Sequence, residues 1–147
     1  MTDSKEWKFR PPEATDLPFI YSTWANSMRY ASLLGKSCRN TIFFKEYAKV
    51  IDHILSLADT EILIACFPEQ PEVIFGYLVY QDNILHYLFI KEAFTRQGIA
   101  KSLVQEASRP FDTYSHKTFV LKHILDRHPE LNYNPFVLYK QGVTQHG

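Results

Sequence analysis

The sequence predicts a single α/β (α+β) domain in which a mixed central sheet of about six to seven strands packs against four helices. Short segments rich in β-branched and aromatic residues predict the strands, and segments with apolar residues every three or four positions predict the helices. The chain has 147 residues, which is the usual length of one domain. We therefore expect residues 1–147 to form one unit, with a frayed tail from about residue 141.

The N-terminal half is predicted to contain an edge strand and two helices. Pro11 and Pro12 end the strand, because neither can donate a hydrogen bond to a sheet. Thr15 or Asp16 caps the first helix, and apolar spacings of three and four give each helix one buried face. The predicted elements are a strand at 6–10, a helix to about residue 30, a loop at 31–41 and a helix at 44–57.

The C-terminal half is predicted to contain five strands and two helices. Three β-rich runs follow one another, a helix begins at Gly98, and two shorter strands flank a last helix that Thr118 or Ser115 caps. Asn132 to Pro135 has the composition of a turn. The predicted elements are strands at 61–67, 73–80 and 84–90, a helix at 98–107, a strand at 113–117, a helix to residue 127 and a strand at 136–139.

Composition and charge exclude several classes of protein. Sixteen basic and 16 acidic residues give a formal net charge of zero, which gives no support to bulk attraction to nucleic acid or membranes. The longest apolar run is too short to cross a membrane, and no signal peptide is recognisable, so we expect a cytoplasmic protein. Cys38 and Cys66 are predicted to be reduced thiols. The spacing of His116, His123 and His128 does not fit a metal site, and none is predicted.

A strand, a charged turn and a helix follow one another between Asn83 and Ala107. The strand is the apolar run Ile84 to Ile90, and the helical period starts where the turn ends, at Gly98. The first N–H groups of such a helix have no partner within it and point outward, beside the positive end of the helix dipole. The sequence therefore predicts an anion-binding site at this turn.

The run LFIKEAFTRQGIAKSLV resembles the acyl-CoA-binding motif of the GNAT superfamily of N-acyltransferases. Gly98 and Ala100 match the second half of the motif, and Thr95 stands where the family usually has Arg or Gln. The resemblance implies acetyl-CoA as co-substrate, with its pyrophosphate on the backbone of the turn and its pantetheine arm along the fourth strand. The residues it assigns to acetyl-CoA are Leu88, Phe89, Ile90, Arg96, Gln97, Gly98, Ile99, Ala100 and Lys101. The predicted order β-α-α-β-β-β-α-β-α-β is also that of the GNAT fold.

A narrower resemblance comes from segments outside this motif. The runs YSTWANSMRY, YSHKT and YNPF, together with LHYLFIKEAFTRQGIAKSL, are similar to small GNAT-like proteins of bacteriophages and prophages. This resemblance implies no particular acceptor, because a fold and a co-substrate do not determine the substrate.

Two residues are the main candidates for proton transfer. His86 lies in the fourth strand, where alternation groups it with Leu88 and Ile90, and an imidazole can take a proton from an ammonium substrate directly or through water. The alternative is a structural histidine that is hydrogen-bonded between sheet and helix. GNAT enzymes often use a C-terminal tyrosine to protonate the leaving thiolate, so the resemblance implies this role for Tyr133, with Tyr139 as a second candidate.

Four residues are candidates for binding the acceptor. In the GNAT family the acceptor site is often built near the first helix, which points to Arg29 and Tyr30 here. Ser115 and His116 follow the co-substrate helix and either face the cleft or cap the next helix. Arg29 and Arg39 would suit an acidic or phosphate-bearing acceptor.

The sequence therefore predicts an N-acetyltransferase that moves an acetyl group from acetyl-CoA to an amine by direct transfer. Two alternatives stay open: a modifier of DNA bases similar to those of phages, and a protein that binds acyl-CoA or a partner without catalysis. Nucleic acid is the less favoured partner, because the chain carries no net positive charge. No membrane partner is expected, and a homodimer would be common for the GNAT family.

Overall fold

The computed structural model describes residues 6–31, 33–95 and 97–137. The strands are β1 (Lys8–Arg10), β2 (Thr60–Phe67), β3 (Gln70–Gln81), β4 (Ile84–Ile90), β5 (Thr113–Tyr114) and β6 (Asn132–Tyr133). The helices are α1 (Leu17–Ala31), α2 (Leu33–Ser37), α3 (Asn40–Ser56), α4 (Ile99–Ala107) and α5 (Phe119–Arg127). Two short 3-10 turns, Ala14–Asp16 and Glu92–Phe94, precede α1 and follow β4.

All six strands belong to one mixed sheet, in which they lie side by side in chain order. The first four are antiparallel, and β5 and β6 then run parallel to their neighbours. Parallel neighbours need crossover connections, and here α4 and α5 supply them. The predicted mixed sheet is therefore confirmed, and so is the predicted order of elements apart from the additional short helix α2 and the position of the last strand.

Helices cover both faces of the sheet. On one face, α4 and α5 contribute Ile99, Leu103 and Leu121 to a cluster with Leu88 and Ile90 of β4. The other face carries a second cluster, built from α1, α3 and the opposite sides of the same strands. Its largest fully buried members include Ile20, Trp24, Ile51, Ile54, Ile64, Tyr77 and Tyr87. Because both faces are covered, β3 and β4 read as continuous apolar runs rather than as alternating ones.

An ion pair joins β1 to the segment that enters α1. Arg10 donates from both terminal nitrogens to the Asp16 carboxylate, at 2.8 and 3.0 Å. The same carboxylate accepts the Glu13 backbone N–H at 2.7 Å. Its hydrogen bond with Arg10 is the main reason why the pKa of Asp16 is lowered. Asp16 thus closes the 3-10 turn before α1, whereas the sequence predicted that it or Thr15 caps the helix directly.

Two sequence predictions are wrong at the level of individual elements. The predicted loop at 31–41 contains α2, so the described residues hold five helices rather than four. Gly35 permits this short helix, because a Cβ there would lie 2.4 Å from the Arg29 carbonyl oxygen. Within the described residues the last strand is β6, and residues 136 and 137 of the predicted strand are not extended: the Asn134 side chain accepts the Phe136 backbone N–H at 3.0 Å and closes a turn there. Residues 138 and 139 lie outside the described residues.

Candidate active site

The strands β4 and β5 pair over two residues and then diverge. Ile84 and Leu85 are in register with Thr113 and Tyr114, and Ser115 donates its backbone N–H to the Leu85 carbonyl at 3.2 Å. Within the described residues, the stretch of β4 beyond Leu85 has no strand on that side. We use the term cleft for the region between the second half of β4 and the segment that follows β5, where the two strands are no longer paired.

The free edge of β4 exposes backbone groups to this cleft. Lys91 donates its N–H to Phe75 of β3 at 2.8 Å. Backbone groups alternate along a strand, so those of Leu88 and Ile90 point away from β3. Phe89 points its own backbone groups to β3, although it belongs to the predicted co-substrate set. An extended ligand arm along β4 could therefore pair with Leu88 and Ile90.

A β-bulge places His86 at the point of divergence. Val79 is in register with Tyr87 and Tyr80 with Leu85, which leaves His86 as the extra residue of β4. The bulge interrupts the side-chain alternation, so Leu85 packs in the same cluster as Leu88 and Ile90 of β4. The simple alternation predicted from the sequence, with His86 on that face, is thus broken at His86.

The turn before α4 contains a left-handed glycine. Gly98 has φ +85°, in the left-handed region that glycine enters without strain, and a Cβ at this position would meet nothing within 4 Å. Gln97, Gly98 and Lys101 are exposed, whereas Ile99 is buried beneath the helix. Arg96 lies outside the described residues. The turn therefore presents an open backbone surface at the positive end of the α4 dipole.

His86 is fully buried and hydrogen-bonded through both ring nitrogens. Its Nδ1 lies 2.8 Å from Ser115 Oγ, and its Nε2 lies 3.1 Å from Gln81 Oε1. Gln81 in turn donates from Nε2 to Asp59 at 2.9 Å. Burial lowers the pKa of His86 to about 4, so the ring is neutral at physiological pH.

Ser115 links His86 to a second buried imidazole. Its hydroxyl oxygen lies 2.7 Å from His116 Nδ1, and burial lowers the pKa of His116 to about 3. The rings of Trp24 and Tyr47 pack edge-on against His116, with centroid distances of 5.5 and 6.0 Å. The structure thus brings together three of the residues predicted from the sequence. Thr118 caps α5, as its side chain accepts the Leu121 N–H, so Ser115 is not the cap of this helix. That Ser115 and His116 face the cleft stays a prediction.

An aromatic layer supports this pair of imidazoles. Trp24 stacks on Tyr87, with the rings 5.0 Å apart and nearly parallel, and the Tyr87 hydroxyl donates to Ser27 at 2.6 Å. Burial raises the pKa of the Tyr47 and Tyr87 phenols, so both stay neutral. Sequence analysis did not assign Trp24, Tyr47 or Gln81 to the site. The periodicity of Trp24 and Tyr47 indicates core positions, whereas Gln81 is a residue type that is common at surfaces. Only the tertiary fold shows that all three lie near these imidazoles.

Tyr133 lies at the rim of the same region. Its side chain is 45% exposed, its ring lies 5.4 Å from that of Tyr114, and the Lys117 ammonium lies 4.7 Å above it. The catalytic roles predicted for Tyr133 and His86 stay predictions. Tyr139, the second candidate for the tyrosine role, lies outside the described residues.

The predicted acceptor-binding pair on α1 is arranged differently. Arg29 donates from Nε to Asn40 at 2.7 Å, and its guanidinium lies 5.4 Å above the ring of Tyr30, which is 65% exposed. These contacts join the end of α1 to the start of α3. The part of the helix that reaches His116 is Trp24, one and a half turns earlier. Whether Arg29 and Tyr30 bind the acceptor stays a prediction.

Metal sites and membrane-spanning helices are two other features to consider in the described residues. In that part of the chain, no group of three or more His, Cys, Asp or Glu side chains could hold a metal ion. Nor does any helix described here combine the length and apolar character needed to cross a membrane.

Comparisons with known proteins place the fold. No protein-family model and no curated protein matches the chain. Among solved structures, the chain is similar to an integron cassette protein, VCH_CASS6, from the mobile metagenome of V. cholerae, with a TM-score of 0.52 at 9% identity over 86% of this chain and 84% of that one. It is also similar to apo-YjaB from Escherichia coli, with a TM-score of 0.50 at 14% identity over 71% and 67% of the two chains.

A third similar structure is the PaiA N-acetyltransferase from Thermoplasma acidophilum in complex with coenzyme A. Its TM-score is 0.49 at 20% identity, over 71% of this chain and 70% of that one. At these identities structural similarity speaks for the fold and not for the activity. The mixed sheet and the sequence of elements in this chain agree with the fold that the GNAT resemblance implies.

Proposed function

We propose that this chain has the GNAT fold and is an N-acetyltransferase that uses acetyl-CoA and transfers the acetyl group directly to an amine. The observation that carries the proposal is the combination of two open backbone surfaces: the free edge of β4 and the exposed turn at Gly98. Both are features that a long anionic thioester needs, and both belong to one strand–turn–helix unit.

The residues of this unit fit acetyl-CoA in chemical terms. A pyrophosphate needs N–H donors and no side chain in its way, and the Gly98 turn offers both. The amide-rich pantetheine arm needs backbone partners, and Leu88 and Ile90 have theirs directed into the cleft. We assign the pyrophosphate to residues 96–101 and the arm to β4.

Acetyl-CoA would supply an activated acyl carbon with a good leaving group. The chain must hold the amine and the thioester in position, exclude water, and provide groups that take up and release the one proton that the amine loses. His86, Ser115 and His116 lie where β4 and β5 part, next to the aromatic layer. Tyr133 at the rim is the candidate for returning a proton to the thiolate, as the resemblance implies.

A non-catalytic acyl-CoA-binding protein is the main alternative, and it predicts binding without turnover. The test is release of free CoA thiol from acetyl-CoA in the presence of a panel of amines, peptides and DNA, with mass spectrometry of the products. We expect CoA release that depends on an amine. Binding of acetyl-CoA with no release above the rate without acceptor would identify the alternative, and an acetylated base would identify a DNA modifier.

The proposal also concerns the cellular location and the oligomeric state of the protein. We expect the protein to act in the cytoplasm, where acetyl-CoA is available, and to be compatible with homodimer formation. Size-exclusion chromatography with light scattering would decide the oligomeric state.

A further inference from the structure

Side chains, rather than backbone hydrogen bonds, join β4 to the chain after β5. In the described residues, the last backbone hydrogen bond between these segments runs from the Ser115 N–H to the Leu85 carbonyl, at 3.2 Å. Beyond it, Ser115 Oγ lies 2.8 Å from His86 Nδ1 and 2.7 Å from His116 Nδ1. The His116 ring also hydrogen-bonds to the His86 backbone. We call the side chains of His86, Ser115 and His116 the polar bridge, because they tie the two segments together where the strand pairing ends.

The polar bridge is enclosed by other side chains. Each of its three members is at most 5% exposed. His86 Nε2 lies 3.1 Å from Gln81 Oε1. The rings of Trp24 and Tyr47 pack edge-on against His116. Protein interiors are packed as densely as organic crystals and yield little, so the bridge cannot move aside without breaking hydrogen bonds and ring contacts.

The proposed position of acetyl-CoA directs its acyl group toward the polar bridge. The Gly98 turn follows the C-terminal end of β4, at Ile90. With the pyrophosphate at this turn, the pantetheine arm runs back along the free edge of β4 from Ile90 to Leu88. The acyl group is at the opposite end of the arm from the pyrophosphate. It therefore lies beyond Leu88, in the part of the cleft that ends at His86 and Ser115.

That part of the cleft is short. It extends from Leu88 to Leu85, and three residues of a strand span about 10 Å. The thioester and the acyl group have to share this length, because Ser115 pairs with Leu85 at its end. A longer acyl chain that continued in the same direction would meet the polar bridge.

We infer that the polar bridge limits the length of the acyl group: acetyl fits in front of it, and the ring of His116 excludes butyryl and longer chains. His116 is the member that belongs to the segment across the cleft from β4, so its ring stands in the way of a chain that follows β4. This inference rests on the proposed acyl-CoA site and adds an acyl-chain specificity to it. The role needs no proton transfer, which suits side chains whose polar atoms are hydrogen-bonded to one another.

The chemistry of the bridge also opposes an apolar chain. An apolar pocket with free space would bind longer acyl chains more tightly, by about fourfold for each added methylene. Here a chain that displaced Ser115 or His116 would break their hydrogen bond and offer no donor or acceptor in return, leaving buried polar atoms unpaired. The affinity should therefore fall with chain length, whereas an open apolar pocket would make it rise.

A series of CoA derivatives tests the inference on the unmodified chain. The Kd values of CoA, acetyl-CoA, butyryl-CoA and hexanoyl-CoA are measured by calorimetric titration. Hexanoyl-CoA should bind about tenfold more weakly than acetyl-CoA, which is the cost of forcing extra methylenes into a packed interior. An affinity that is the same for all acyl lengths, or that rises with length, would overturn the inference.

Substitutions at His116 test which side chain sets the limit. His116→Ala removes the ring, so two added methylenes can enter the vacated space, and butyryl-CoA should then bind about tenfold more tightly than acetyl-CoA. His116→Phe restores a ring without its nitrogens and should restore the preference for acetyl-CoA. A folded His116→Ala variant that keeps the wild-type order of affinities, or a His116→Phe variant that behaves like His116→Ala, would overturn the inference.

A cavity elsewhere in the core is the matched control. Ile64 is fully buried in β2, and β3 separates that strand from β4. Ile64→Ala should therefore lower stability but keep the wild-type order of affinities. Thermal unfolding shows which variants are folded, and the series on the unmodified chain decides the inference if His116→Ala does not fold.

The outcomes separate this inference from the proposed function. Equal binding of CoA and all its acyl derivatives would overturn the inference and leave acyl-CoA binding standing. Absence of binding for CoA and every derivative would overturn the proposed co-substrate, and the inference with it. Binding that falls with chain length, without transfer to any amine, would retain the inference and identify the protein as a non-catalytic acyl-CoA-binding protein.

Discussion

A pair of substitutions at Gly98 tests the assignment of the pyrophosphate site. Asn and Asp are nearly equal in shape, and both tolerate left-handed backbone better than other residues with a Cβ. A Cβ at Gly98 meets no atom within 4 Å, so neither side chain collides with the protein. The two variants should therefore lose a similar amount of stability, about 1 kcal/mol, from the left-handed φ. They differ in one negative charge.

That charge has a calculable effect on acetyl-CoA binding. A carboxylate roughly 6 Å from each of two phosphate charges, at an effective dielectric constant of about 40 near the surface, raises the binding free energy by about 3 kcal/mol. This corresponds to about a 100-fold increase in Kd for Gly98→Asp relative to Gly98→Asn. Raising the ionic strength should narrow the gap, because salt screens the repulsion.

Calorimetric titration with acetyl-CoA gives the Kd of each variant, and thermal unfolding measured alongside shows whether both variants are folded. Gly98→Asn should bind with moderately reduced affinity. Equal affinities for the Asn and Asp variants, both folded, would show that no phosphate lies against this turn, and the site would have to be placed elsewhere.

Three further predictions concern stability. Asp16→Asn should lower the free energy of unfolding by about 2 kcal/mol at neutral pH, because it leaves the partly buried Arg10 without its charged partner. The pKa of Asp16 is lowered in the folded state. The stability that its charge contributes is therefore present above its unfolded pKa and is lost as the pH falls through its folded pKa. In urea titrations at acidic pH, the free energy of unfolding should depend less on pH in the variant than in the wild type. Gly35→Ala should destabilise by about 1–3 kcal/mol, since its Cβ would meet two backbone carbonyls of α1, whereas Lys36→Ala on the exposed side should change little; equal unfolding midpoints would contradict the close packing of α2 on α1. Leu103→Ala should cost about 3 kcal/mol by leaving a cavity under α4, and a loss below about 1 kcal/mol would mean that α4 is not packed on the sheet as described.

Local sequence patterns account for most of the fold. The pattern that predicts the strand–turn–helix unit around Gly98 lies in one continuous stretch of sequence, and the same holds for the patterns that predict the apolar faces of α1 and α3. Two-residue strands such as β5 and β6 have no pattern long enough to be recognised. Their pairing depends on the crossovers that bring them to the sheet, which explains why the last strand was predicted at 136–139.

The candidate site was predictable only in part, because its contacts are distant in sequence. His86, Ser115 and His116 stood out as polar residues in or beside β-rich runs, and the structure brings them together. The partners that determine their behaviour did not stand out: Gln81 and Asp59 are ordinary surface residue types, and the bulge at His86 depends on the register with β3. The local sequence can mark such a residue as a candidate, but its burial and its hydrogen-bond partners, which determine its protonation state, follow only from the tertiary structure.

The most direct test of the central claim is calorimetric titration of the wild-type chain with acetyl-CoA. An acyl-CoA site on β4 and the Gly98 turn predicts binding in the micromolar range with one ligand per chain, and a few kcal/mol of stabilisation at saturating ligand. Absence of binding even at about millimolar acetyl-CoA, where the binding free energy would be only about 4 kcal/mol, would contradict the assignment.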